Sequence, residues 1–396
     1  MSAMPDPGGT VVLHPRQCAG TGLAALAAVA LLAGCASGPP AAPQATPAAP
    51  TGADGPSVSG SAATPGGPLP QADTGEPRVI ATALATPWAL SFLPDGNALV
   101  TERDSARILR VSAQGDVTPV GVVEGVQARG EGGLLGIAVS PGFATDRRVL
   151  VYYTAGGENR IVALTTAEDG TIDGAAQQPV LDGIPAGTVH NGGELAFGPD
   201  GLLYVGTGES GDRARSQDPA DLGGKILRLT PDGAPAPGNP SGGPVFATGI
   251  RNSQGIVFGP DGTVYASEFG ANTADELNRI VPGGNYGWPE VEGAGGDDRF
   301  VAPLLTWPTD EASPSGLAQA GGSLWMSALR GERLFRIPLR DDGAVGEPQE
   351  LLTGYGRIRG VAAAPDGSAL WVTTSNRDGR GSPAADDDRI VIVPLR

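Results

Sequence analysis

The chain has 396 residues, room for one large domain or two to three smaller ones. Its 63 glycines and 37 prolines favour many short elements joined by turns over long helices. A formal charge of −17 argues against nucleic acid as a partner, because a polyanion needs a basic surface. It leaves room for a small anion held by a few local arginines.

In chain order, Arg16 precedes an apolar run from Gly20 to Ala33 that is too short to span a bilayer. Its small-residue end suits a signal peptide over residues 1–34. Leu32-Ala33-Gly34-Cys35 resembles a bacterial lipobox, so Cys35 is expected to carry a lipid and to anchor an exported protein to the membrane. Ordinary cleavage with an incidental cysteine is the alternative. Cys18 leaves with the signal, so no disulfide is expected and a packed core must hold the chain. Residues 35–76 hold almost no large apolar side chains and read as a flexible tether.

Residues 77–396 repeat one unit six times: a polar lead-in, a short apolar strand, a turn and a second apolar strand. The copies are "PWALSFLPDGNALVTER", "GLLGIAVSPGFATDRRVLVYYT", "GGELAFGPDGLLYVGTG", "SQGIVFGPDGTVYASEF", "SGLAQAGGSLWMSAL" and "IRGVAAAPDGSALWVTTS". In Pro-Asp-Gly the proline fixes φ, the aspartate bonds locally and the glycine accepts positive φ. Turn prolines at 94, 141, 199, 260 and 365 lie 47, 58, 61 and 105 residues apart, the last gap spanning two units. Units of about 50–60 residues with about four strands each are propeller blades, so an all-β, six-bladed β-propeller is expected.

The lead-in of each unit should open at one mouth of the central channel. Five of these segments bring Glu131, His190, Arg251-Asn252, Ser313 to Ser315, and Arg357 with Arg359. His190 and Arg251 each lie nine residues before their turn proline and Arg357 lies eight before its own. Side chains at one phase of a rotational repeat gather round one axis. His190 is the only histidine left once His14 departs with the signal, and an imidazole titrating near neutrality suits a general base. Arginines in phase suit a ligand with several carboxylates or phosphates. The stretch Glu268 to Glu290 offers Glu268, Asn272, Asp275, Glu276, Asn278 and Asn285. Oxygen donors without Cys or His imply a hard cation, calcium rather than zinc. A solvated acidic loop is the alternative.

With these residues in view, the sequence resembles the PQQ-dependent soluble aldose sugar dehydrogenases of the glucose/sorbosone dehydrogenase family. The motifs that carry the resemblance are "EGGLLGIAVSPGF", "HNGGELAFGPDGLLYVGTGESGD", "LGGKILRL", "TGIRNSQG", "ADELNRIVPGGNYGWP" and "RIRGVAAAPDG". The resemblance implies that His190 takes the proton from the sugar C1 hydroxyl while hydride passes to PQQ. It further implies that Glu131, Arg251, Asn252, Arg357 and Arg359 hold that cofactor, and that Glu276 and the Tyr286 carbonyl hold calcium. A second calcium on PQQ itself would act as a Lewis acid. The electron acceptor is left open. A cofactor-contacting lysine that the resemblance implies in the fifth blade is missing, with Arg330 no more than a candidate stand-in. Two other readings remain: a metal-dependent lactonase, which needs carboxylates converging on one channel ion, and a non-catalytic binding propeller.

Overall fold

The computed structural model describes residues 66–396; the signal, the lipobox with Cys35 and the tether up to residue 65 lie outside it. Strand β1 (Arg78–Ala81) is followed by five blades of four consecutive antiparallel strands. The first is β2–β5 (Pro87–Phe92, Ala98–Glu102, Arg107–Val111, Val117–Val122). The second is β6–β9 (Leu134–Val139, Arg148–Ala155, Glu158–Thr165, Gln178–Pro185). The third is β10–β13 (Glu194–Phe197, Leu203–Gly206, Ile226–Leu229, Val245–Ala247). The fourth is β14–β17 (Ser253–Phe258, Val264–Glu268, Asp275–Ile280, Leu305–Trp307). The fifth is β18–β21 (Pro314–Ala320, Ser323–Ala328, Arg333–Pro338, Gln349–Leu351). The sixth takes β22–β24 (Ile358–Ala363, Ala369–Thr374, Ile390–Pro394) from the C-terminus and β1 as its outer strand. Each quoted repeat thus forms the two innermost strands of a blade. The innermost strands pack in a closed ring, β22 against β2.

Burial explains the sequence pattern. Middle strands such as β19 and β23 are buried on both faces and read as continuous apolar or small residues, whereas outer strands β5 and β21 are mostly exposed. Each of the six seams between blades holds its own apolar cluster. One joins Leu135, Leu150 and Ile161 of blade two to Leu195, Val205 and Leu227 of blade three. Truncating a fully buried side chain such as Trp325 would cost about 3–5 kcal/mol.

The Pro-Asp-Gly turns all lie on one face. Asp95, Asp200, Asp261 and Asp366 each accept the N–H two residues on, at 3.0–3.1 Å. Gly96, Gly201, Gly262 and Gly367 take φ of +70° to +83°. The lead-ins open on the opposite face, together with the connections from second to third strands. In one respect the expected tether is too long. Residues 66–76 run along blades five and six, Leu69 donating to Leu339 O (3.0 Å), Ala72 to Gly321 O (3.0 Å) and Gly75 to Pro394 O (2.8 Å). These are backbone bonds, which composition does not reveal.

Candidate functional site

The lead-ins of five of the six blades are tied down by a carboxylate or amide accepting a backbone N–H, and that of blade two by Thr154 Oγ1 accepting Gly133 N–H (3.2 Å). Glu102 accepts from Ala85 (2.7 Å), Glu131 from His190 (2.8 Å), Glu268 from Arg251 (2.6 Å), Asp275 from Ser313 (2.6 Å) and Asn376 from Arg357 (2.8 Å). Such bonds fix the main chain so that side chains at one phase face the channel mouth.

His190 sits at φ +53°, a left-handed conformation that costs a non-glycine residue about 1–2 kcal/mol. The turn is held closed because Ser210 N–H donates to His190 O at 3.0 Å and Gly208 lies directly beneath. A Cβ on Gly208 would fall 2.0 Å from that oxygen, so only glycine fits. His190 Nδ1 lies 2.5 Å from Glu209 Oε1. The carboxylate can only accept there, which places the proton on Nδ1 and leaves Nε2 as a free acceptor. Glu209 is 2 % exposed and its Oε2 has no partner.

Three arginines join this pair, with different commitments. Arg359 is 5 % exposed and its charge meets only neutral partners, Gln254 Oε1 at 3.0 Å and Ser315 Oγ at 3.5 Å. Its Nε is buried without a partner, its guanidinium lies over Trp88, and burial pushes its pKa down to about 10. Arg251 lies over Trp288, donates Nη1 to Phe269 O (3.0 Å), and also keeps an unpartnered Nε. Burial lowers its pKa despite the nearby Glu209, Glu292 and Glu268. Arg357 is satisfied internally, giving Nε and Nη2 to Asp378 Oδ2 at 3.0 and 2.9 Å. Glu131 is engaged too: burial pushes its carboxyl up, but His190 N–H and Arg380, 2.7 Å away, hold it below the usual range. Asn252 is 1 % exposed and accepts Gly192 N–H (2.9 Å), shaping the loop after His190. The free cations of the cup are therefore Arg251 and Arg359. Arg330 is exposed and gives Nη1 to Thr309 O at 3.4 Å.

The acidic stretch divides in two. Asp275 caps Gly270 and Ser313, and Asn285 pairs with Gln217, so both serve the fold. Glu268 and Glu276 instead line a small pocket with Tyr286, Glu292, Arg251 and Trp288. Burial and mutual repulsion push the Glu268 carboxyl well up, and burial raises Glu276. The Tyr286 hydroxyl is spent on Val281 N–H and Arg279 O, leaving its carbonyl as the atom to meet a cation. Among the described residues no three His, Cys, Asp or Glu side chains converge as a metal cage. An all-oxygen pair of destabilised carboxylates beside a carbonyl fits a hard cation that keeps some of its water.

Glu209, Asp378 and Gln254 were not singled out from the sequence. Glu209 and Asp378 come from connections of unequal length after second strands and share no phase with the lead-ins. Gln254 had a signal: it sits at the phase of Arg359, six residues before its turn proline.

The lead-in face of the propeller thus carries an imidazole oriented by a carboxylate, and the lead-ins also carry two buried guanidiniums, Arg251 and Arg359, with no carboxylate hydrogen-bonded to them. The Glucose / Sorbosone dehydrogenase profile matches residues 84–383, and the chain belongs to that family. It is an oxidoreductase. Aldose sugar dehydrogenase YliI of Escherichia coli is 31% identical over 340 residues, 76% of this chain and 90% of that protein. Quinoprotein glucose dehydrogenase B of Acinetobacter calcoaceticus is 31% identical over 79% of this chain and 87% of its own length. The PQQ-bound structure of aldose sugar dehydrogenase from Streptomyces coelicolor superposes with a TM-score of 0.80 at 52% identity, covering 83% of this chain and all of that one.

Proposed function

We propose that this chain oxidises the C1 hydroxyl of aldose sugars to the lactone with PQQ as cofactor. The observation that carries the reading is Arg359, a buried guanidinium with no carboxylate hydrogen-bonded to it, lying in the field of the same Glu131 that accepts His190 N–H. An unbalanced buried cation is costly unless an anion completes it, and PQQ is a tricarboxylate. Arg359 and Arg251 would hold its carboxylates by charge-assisted hydrogen bonds. Arg357 and Asn252 contribute by holding Asp378 and the His190 loop. When bound, PQQ accepts the hydride.

The protein's part is the proton. His190 Nε2 takes it from the sugar hydroxyl, while Glu209 keeps the ring in the required tautomer and steadies the imidazolium that forms. The orphaned Glu209 Oε2 adds negative charge on the same side as the forming cation. Glu276 and the Tyr286 carbonyl would hold calcium. The lactonase alternative gains nothing from a cup whose free charges are cationic. Export with lipid attachment at Cys35 belongs to the same proposal; labelling with radioactive palmitate, lost in Cys35→Ser, tests it.

Titration of the purified apo protein with PQQ is the direct test. Binding with appearance of dye-reducing aldose oxidation is expected, and Arg359→Gln should weaken PQQ by about 10–100-fold, equivalent to ~1.4–2.8 kcal/mol. Failure of the wild type to bind PQQ would overturn the reading.

A further inference from the structure

The lead-in face also carries charges that nothing in the fold uses. Among the described residues, Arg129, Arg213 and the C-terminal Arg396 are the arginines whose side chains make no hydrogen bond or ion pair. Two of the three border the His190 segment. On one side Glu131 N–H donates to Thr188 O at 3.0 Å, which sets Arg129, two residues earlier, at the edge of that segment. On the other, Ser210 N–H donates to His190 O and Asp212 N–H to Glu209 O, both at 3.0 Å. That turn leads into a short 3-10 helix at Arg213–Gln217. The exposed Arg213 guanidinium lies over Trp288, 4.9 Å from the ring centroid, and that of Arg251 lies over the same ring at 5.3 Å. One indole thus seats an exposed cation next to a buried cation of the cup. The acidic neighbours of Arg213 are spent elsewhere. Asp221 and Asp212 turn to Arg215 at 2.8 and 3.6 Å, and Asp218 accepts Ala220 N–H at 2.9 Å.

We propose that Arg213, backed by the charge of Arg129, selects aldoses that carry a carboxylate or phosphate away from C1. Sugar acids and sugar phosphates are then the substrate class, ahead of neutral sugars. This rests on the reading above that the chain oxidises the C1 hydroxyl of an aldose. A neutral sugar offers an exposed guanidinium only hydroxyls, which water replaces at little cost. An anionic substituent instead forms a charge-assisted, bidentate pair with the planar fork. The setting sharpens the choice. A chain of net charge −17 repels anions in general, so two unpaired cations beside the imidazole are what admit one there. The bonds made and broken at C1 stay those already described. The remote anion is a handle that fixes which end of the sugar faces His190.

Steady-state kinetics of the full chain at saturating PQQ, with glucose, glucuronate and glucose 6-phosphate as substrates, tests the selection. At low salt kcat/KM for the better anionic sugar should exceed that for glucose by about fivefold, the upper end for one exposed ion pair. The advantage should sit in KM and shrink toward one in about 1 M salt. Which anionic sugar leads tells carboxylate from phosphate. Arg213→Gln should bring the ratio near one, Arg213→Glu should drive it below one, and Arg213→Lys should keep part of it. Arg396→Gln makes the same change in net charge at the opposite face, where Leu395 N–H bonds Ser368 O, and should leave the ratio as it is. An equal drop in that variant would assign the effect to net charge and overturn the proposal. A wild type that oxidises glucose at least as well as both anionic sugars would overturn it too, leaving the proposed function standing. A wild type inactive on all three with PQQ bound would take both down.

Discussion

The two faces of the propeller use the same backbone conformation for opposite ends. On the turn face the left-handed residues are Gly96, Gly201, Gly262 and Gly367, and no atom lies within 4 Å of a Cβ built on Gly96, Gly201 or Gly367. On the opposite face they include His190, Ser210 and Ser313, side chains that bear the cost of positive φ. The first set relaxes the chain so that four of the six inner hairpins form alike, blade two turning instead through Phe143–Asp146 with Arg147 at φ +51° and blade five through Gly321-Gly322. The second is held by surrounding bonds, Glu131 on His190 N–H and Asp275 on Ser313 N–H. In the Pro-Asp-Gly turns glycine supplies the reversal, whereas at His190 and Ser313 the surrounding bonds hold a side chain in the strained conformation.

The largest effect should come from breaking the strained side. His190→Ala removes the acceptor but keeps a Cβ and the Glu131 bond to its N–H, so the loop should persist. Loss of a general base costs typically about 10²–10⁴-fold in kcat. Steady-state kinetics with an aldose and a dye acceptor should show that loss, with PQQ affinity changed little and the melting temperature unchanged. Full activity in the variant would remove His190 from proton transfer.

How far the sequence reveals this division depends on what is local. The inner hairpins were legible because alternation and Pro-Asp-Gly act over a dozen residues, and all six quoted segments became β2–β3, β6–β7, β10–β11, β14–β15, β18–β19 and β22–β23. Closure of the ring by β1 against β24 was not, since the partners lie over 300 residues apart and β1 has only four residues. In the site, the lead-in phase set His190, Arg251 and Arg357 at corresponding positions, with Arg359 two residues further on beside Gln254. It did not distinguish free charges from spent ones: Arg357 and Arg359 are two residues apart, yet Asp378 neutralises only Arg357. That partner comes from a connection after β23, and pairings between loops of different blades leave no periodic mark.

Between the faces lies a shaft lined by the innermost strands. At the phase five residues before the turn, the blades carry Ala89, Gly136, Gly255, Gly316 and Gly360, but blade three carries Glu194. Glu194 is half-buried on the wall of the shaft, and the loss of solvent there pushes its pKa up to about 8. The fold therefore holds this proton more tightly than the unfolded chain does. Its stabilising contribution is complete below about pH 4.5 and is lost as the pH climbs through about 8. Glu194→Gln keeps the shape of the neutral form, so wild type and variant should melt together near pH 5. By about pH 9 the variant should melt a few degrees higher. Parallel melting curves across that range would mean that the carboxyl ionises freely in the shaft.

The smallest effect should come from the relaxed face. At Gly201, φ is +75° and a Cβ would meet nothing within 4 Å, so Gly201→Ala adds no clash and isolates the conformational term. Alanine in the left-handed region costs about 1–2 kcal/mol, and its lower unfolded-state entropy returns about 0.4–1. A net loss near ~1 kcal/mol should appear as a melting temperature lower by a few degrees at most, with kcat and PQQ affinity unchanged. The same substitution at Gly208 has no such freedom, because the Cβ would fall 2.0 Å from His190 O and displace the imidazole. One methyl group on each face thus separates a turn that only reverses the chain from one that aims a base.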